Sequence, residues 1–267
     1  MKRRPAVAGQ FYYGDAARLK SQVEQYAVPA AVREKAIGII SPHAGLMYSG
    51  AVAGAVYSSL QQPGTFLLLG PNHTGLGAPA SLMVSGEWEI PSATLSLDES
   101  LAGSLLQKVP SLTADVQAHV YEHSLEVQLP FIAHFSGEAK IAPLLLMGAS
   151  LKECEEMGRG IAAAIEEADY EVVIVASSDM SHYVSHDTAK RLDGLALQEI
   201  LALDPERLYT TVRRERISMC GVVPVTVMLY AALALGASGA KLVRYATSGE
   251  TSGDYTRVVG YAGVVVT

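Results

Sequence analysis

An α/β fold is predicted for the 267-residue chain: a single-domain sandwich over residues 1–267, with a central, mostly parallel or mixed sheet covered by helices. Three observations predict it. Short runs of Val, Ile and Leu recur without polar alternation, the pattern of strands buried on both faces. Segments of helical periodicity lie between them, the order that builds layered α/β folds. No repeat, low-complexity tract or Pro/Ser-rich linker divides the chain.

The expected strands are Ala36–Ile40, Phe66–Leu69, Ile141–Leu146, Val172–Ala176 and Val258–Val265. The expected helices are Gly50–Leu60, small and apolar; Asp98–Lys108, with an acidic first turn; and Glu122–Phe135, with Leu125, Leu129 and Ile132 at helical spacing. They continue with Leu151–Ala168, rich in Ala and Glu, and Thr188–Ala202, which repeats Leu at 192, 195 and 201. The apolar stretch Cys220–Leu235 is short for a membrane span and contains Gly221 and Pro224, so it reads as a buried helix.

Charge and cysteine content exclude several function classes. A net charge of −7 and a pI near 5.5 give no generic attraction to nucleic acid. Two cysteines, Cys154 and Cys220, make no disulfide framework, and MKRRPAVAGQ carries no signal-peptide pattern, so a cytoplasmic location is expected.

In sheets of this class ligands gather at the carboxyl ends of strands. There AIGIISPHAG places His43, FLLLGPNHTG places His73, and VVIVASSDMSH places Asp179 and His182. A lone loop histidine is usually solvated, but three at equivalent strand ends would converge on one edge of a parallel sheet. Imidazole is a frequent metal ligand and a good proton carrier. Cys220, at the start of the apolar helix, is the expected third donor, its thiol pushed toward thiolate by the helix N-terminus. Cys154 lies among carboxylates on a surface-type helix and is expected to be inert. In YEHSLEVQLPF, Glu122, His123 and Glu126 form a polar stripe: either a solvated face or partners that fix the tautomer of a ligating histidine. His119, His134 and His186 are expected at the surface. Arg216, just before Cys220, is a candidate for holding an anionic substrate group; otherwise it belongs to a solvated helix end. GPNHTGLG lacks the lysine and spacing of a phosphate loop, and SSDMSH lacks a nucleophile elbow.

With those residues in place, the chain resembles the Memo family, called AmmeMemoRadiSam system protein B in its bacterial and archaeal form. The resemblance rests on RRPAVAGQFY, SPHAGLMYSG, LLGPNHTGLG, EHSLEVQLPF, SSDMSHY, MCGVVP and ATSGETSGDYTRVVGYAGV, in the family's order. It implies a fold like the catalytic subunit of class III extradiol dioxygenases, which hold non-haem iron. It implies metal ligands His43, His73 and Cys220, an acid/base His182, and Asp179 and Tyr48 in the same pocket. Fe(II) is the expected metal, with Cu and Zn as alternatives. The resemblance also implies radical-SAM and AMMECR-type partners in a modification reaction. The competing expectations are a recognition module, since eukaryotic members are linked to phosphotyrosine peptides, and a zinc hydrolase.

Overall fold

The computed structural model describes residues 1–29 and 33–267. The strands are β1 (Lys2–Arg3), β2 (Gly38–Ser41), β3 (Thr65–Pro71), β4 (Ala80–Leu82), β5 (Glu87–Ile90), β6 (Ala93–Ser96), β7 (Thr113–Ala114), β8 (Lys140–Leu146), β9 (Val172–Ser177), β10 (His182–Val184), β11 (Ala240–Thr247) and β12 (Val258–Val266). The helices are α1 (Ala16–Tyr26), α2 (Leu46–Ser58), α3 (Glu99–Lys108), α4 (Gln117–Val120), α5 (Leu129–Phe135), α6 (Leu151–Glu166), α7 (His186–Leu201), α8 (Pro205–Arg214), α9 (Val222–Ala234) and α10 (Gly249–Ser252).

Nine of these strands form one mixed sheet, and β1, β5 and β6 form a small second one. At the centre of the large sheet β2, β9, β3 and β8 run parallel. Antiparallel strands flank them: β12 beside β2, and β4 beside β8. The predicted α/β class with a mixed sheet is therefore the architecture observed.

The continuous hydrophobic runs have a direct cause. Successive strand residues point to opposite faces, and both faces are covered. Leu67 and Leu69 of β3 pack in the layer that holds Met157 and Ile161 of α6 and Val225 and Met228 of α9. Phe66 and Leu68 pack in the other, against Leu19 of α1, Tyr57 of α2 and Phe131 of α5. Full burial of each such side chain contributes about 1.5–3 kcal/mol. α9 is apolar around most of its circumference because it lies inside the molecule. None of the described helices is long and apolar enough to cross a membrane.

Several local expectations change. Helix α2 begins at Leu46, four residues earlier than its composition suggests. Glu122–Phe135 is not one helix: a 3₁₀ turn at Glu126–Gln128 leads into α5. Cys154 is wholly buried on the inner face of α6, and burial, with the charge of Glu153 adding, pushes its thiol up to about 12. A thiolate is disfavoured there chiefly by burial and only secondarily by the neighbouring carboxylate. His119 is wholly buried too, edge-on to Trp88, and burial holds it down to about 4. His134 is exposed and His186 is half-buried.

Candidate metal and ligand site

The parallel register brings the strand ends level. Ser41 of β2 pairs with Ser177 of β9, and Leu69 of β3 pairs with Ala176. His43, His73 and Asp179 each follow a strand end (Ser41, Pro71 and Ser177) by two residues. One sheet edge therefore receives all three. The loop after β3 is shaped by Asn72, whose Oδ1 accepts from the Thr74 and Gly75 amides at 3.0 Å. Gly70 lets the next layer approach: a Cβ there would lie 2.6 Å from Leu125 Cδ2 and 2.8 Å from Ser124 Oγ. That close approach delivers the Glu122–Ser124 segment to the site.

His43 is buried, and its ring lies 5.3 Å from that of His73 and 5.5 Å from that of His123, centroid to centroid. His73 and His123 stack at 4.8 Å. Ring nitrogens of His43, His73 and His123 lie within 4.8 Å of one another. Cys220 Sγ is 3.4 Å from His43 Nε2 and accepts from the Asp179 amide at 3.3 Å. Asp179 Oδ1 in turn accepts the His43 amide at 2.8 Å.

Glu122 organises the imidazoles. Its Oε1 accepts His73 Nδ1–H and the His123 and Ser124 amides, each at 2.9 Å, and its Oε2 accepts the His73 amide at 2.5 Å. Burial alone would raise the carboxyl, but the hydrogen bond and charge of His73 and the Ser124 amide hold it at about 2. An ionised carboxylate only accepts, so His73 carries a proton on Nδ1 and Nε2 is the nitrogen left for a ligand. The polar stripe of the sequence is thus buried rather than solvated.

Glu126 does something else. It is also wholly buried, but it pairs with Arg3 and accepts from the Ala6 and Val7 amides and the Tyr12 hydroxyl. Arg3 further donates to Glu122 O at 2.6 Å and to His119 O at 2.9 Å. The N-terminal segment is fastened in this way beneath the Glu122 loop, with Phe11 against His123 at 4.9 Å.

His182 opens β10, and its Nδ1 lies 2.8 Å from Ser218 O. A carbonyl oxygen only accepts, so His182 donates from Nδ1 and Nε2 is the free nitrogen. Tyr183, next along, sits at φ 58°, a strained position for a side-chain-bearing residue. Cys220 precedes the N-cap of α9 instead of lying in its first turn. Burial, then the charge of Asp179, push its thiol up, opposite to the effect expected of the helix dipole. Gly221 is needed beside it, since a Cβ there would meet Ser177 O at 2.5 Å. Burial likewise raises the Asp179 carboxyl and holds His43 well below the usual histidine range.

A cavity of about 580 Å³ opens over this cluster. His43, His73, His123, Asp179, His182 and Tyr48 line one part of it. Phe11, Tyr183, Tyr261, Ser248, Asp254 and Arg257 are among its other lining residues. Arg216 is exposed, at φ 53° just past α8, and is not among the lining residues; Arg257 is the arginine that lines the cavity. Sequence reasoning missed Arg257 and also Ser177, Gln128 and Ser218, which hold the histidines. Ser177 stood in SSDMSH, and Arg257 in DYTRVVGY.

Fold and site together define an α/β protein with a histidine cluster at the floor of an open cavity. A family model described as Memo-like protein matches residues 3–265. MEMO1 family proteins of Methanopyrus kandleri and Methanosarcina mazei are 39% and 41% identical to the chain. The first match covers 99% of both sequences, the second 99% of this chain and 98% of the relative. The chain belongs to the Memo family. Among solved structures, an uncharacterized protein of Escherichia coli K12, JW3007, superposes with a TM-score of 0.60 at 12% identity, over 85% of this chain and 98% of its own. That likeness shows the fold.

Proposed function

We propose that this protein is a metal-dependent redox enzyme of the non-haem iron type, with His43, His73 and Cys220 holding the ion and His182 moving a proton. The observation that carries it is convergence. The ring nitrogens of His43 and His73 lie together at the floor of a ligand-sized cavity, the Cys220 sulfur lies 3.4 Å from His43 Nε2, and Nδ1 of each imidazole is already engaged elsewhere. Two imidazoles and a sulfur suit Fe(II), Cu or Zn, and binding would displace the thiol proton that burial favours. When bound, the ion would supply a Lewis-acidic, redox-capable centre facing the cavity.

The chain's own groups do the rest. Glu122 fixes the His73 ring, and Asp179 fixes the His43 backbone beside Cys220. His182, fixed through Nδ1, offers Nε2 to give or take a proton at a bound ligand. Tyr48, Tyr183 and Tyr261 line the cavity above the histidines.

One observation favours a second donor set. His123 completes a cluster with His43 and His73, which supports a three-imidazole site in which Cys220 stays a thiol. The test is anaerobic titration of Fe(II), Cu(I) and Zn(II) into wild type and His43→Ala, Cys220→Ala, His123→Ala and His182→Ala. Binding lost in His43→Ala and Cys220→Ala but kept in His182→Ala supports the proposal. Loss in His123→Ala with retention in Cys220→Ala selects the three-imidazole set. A wild type that binds none of the metals refutes both and leaves the cavity as a recognition pocket.

A further inference from the structure

The SSDMSH stretch contains a hydroxyl that the proposed chemistry does not use. Ser177 Oγ lies 2.6 Å from Ser124 O, 3.0 Å from Gln128 Nε2 and 2.8 Å from His43 Nδ1. Ser124, Ser177 and Gln128 are all wholly buried, so bulk water cannot rearrange these bonds.

The proton count leaves one arrangement. A carbonyl oxygen only accepts, so the single hydroxyl proton of Ser177 goes to Ser124 O. Two acceptor positions remain on Oγ. The Gln128 amide donates into one, and its second N–H goes to Pro42 O at 2.9 Å. The reverse orientation of that amide would set oxygen against the Pro42 carbonyl. The last acceptor position faces His43 Nδ1 and can be satisfied only by an N–H. His43 therefore carries its proton on Nδ1, and the lone pair resides on Nε2, the atom beside Cys220 Sγ.

We infer that Ser177 is a positioning residue: its hydroxyl, oriented by Ser124 O and Gln128, fixes the His43 tautomer and so decides that Nε2 presents a lone pair and not a proton at the cavity floor. Its use for metal binding rests on the proposed function, whereas the tautomer does not.

The test is long-range ¹H–¹⁵N NMR of metal-free protein labelled at histidine nitrogens, with zinc titration of the same samples. In wild type, His43 is expected to be protonated at Nδ1. In Ser177→Ala the Nδ1–H loses its acceptor, so the tautomer shifts toward Nε2–H and zinc affinity falls roughly 10–100-fold. Ser124→Ala is the control. It deletes a neighbouring buried hydroxyl, bonded to Pro71 O at 2.9 Å, but keeps the Ser124 carbonyl, so tautomer and affinity should hold. Wild-type His43 protonated at Nε2, an unshifted tautomer in Ser177→Ala, or equal tautomer shifts in both variants would overturn the assignment. A wild type with Nδ1–H that binds no metal would refute the metal reading and leave the role of Ser177 intact.

Discussion

Arg3→Met tests whether the N-terminal segment is fastened by charge. Arg3 is 2% exposed, its guanidinium reaches the Glu126 carboxylate and two carbonyl oxygens, and it lies 4.3 Å from the centre of the Trp88 ring. Methionine keeps much of the apolar contact and removes every donor. Glu126 is then a wholly buried carboxylate without its cation, and breaking a buried pair on one side costs about 3–5 kcal/mol. For a chain of this size, at about 2 °C per kcal/mol, that lowers the melting temperature by roughly 6–10 °C. Thermal unfolding of metal-free wild type, Arg3→Met, Glu126→Gln and the double variant, followed by circular dichroism, measures it. The double variant should lose less than the sum of the two singles, because a neutral amide in place of the Glu126 carboxylate no longer needs a cation. An Arg3→Met melting within about 2 °C of wild type, or strictly additive losses, would refute the reasoning.

Three further outcomes are expected. Glu122→Gln puts an amide N–H₂ where the carboxylate accepts four N–H groups, so His73 is released and zinc affinity falls roughly 10–100-fold by titration. Asp193 is wholly buried, bonded to the Ser181 amide and the Tyr245 hydroxyl, and burial raises its carboxyl above 3.8. The fold favours its neutral form more than the unfolded chain does, so that contribution to stability is complete below the unfolded value and is lost as pH rises through the folded one. Asp193→Asn should flatten that part of the melting-temperature profile and melt no lower than wild type at neutral pH; a clear loss there would contradict this. Cys154 should resist iodoacetamide at about pH 8 until the chain is unfolded, since its thiol is buried and pushed up to about 12, and mass spectrometry of labelled peptides reads this directly.

The part of the site on the sheet was legible because its signal is local. Runs buried on both faces announce strands, and the residues just past them hold His43, His73, Asp179 and His182. The part carried by Glu122 and Glu126 was harder. Their spacing imitates a helix face, yet both are buried by partners far along the chain: Arg3, Ala6, Val7 and Tyr12 for Glu126, and His73 for Glu122. No periodicity reports such pairing. His119 misled for the same reason, since Trp88 and Ser81 cover it. For Cys220 the helix start was a true signal but the wrong term to weigh, because burial and Asp179 outweigh the dipole. Helix α8 was not singled out although it has its signals, with Asp204 as N-cap, Pro205 in its first turn and Leu208, Tyr209 and Val212 on one buried face.

The way the two ends of the chain are built in has a consequence for synthesis. Arg3 leaves the ribosome early, and its carboxylate partner Glu126 follows 123 residues later. β12 pairs with β2, β10 and β11, all of which are made before it. Until Glu126 is made the growing polypeptide carries an unmatched guanidinium, and until β12 is made it carries bare strand edges at β2 and β11, the kind of exposed edge that invites wrong pairing. The cavity is likewise lined by residues made far apart, from Phe11 to Tyr261, so its lining is complete only once β12 has been made.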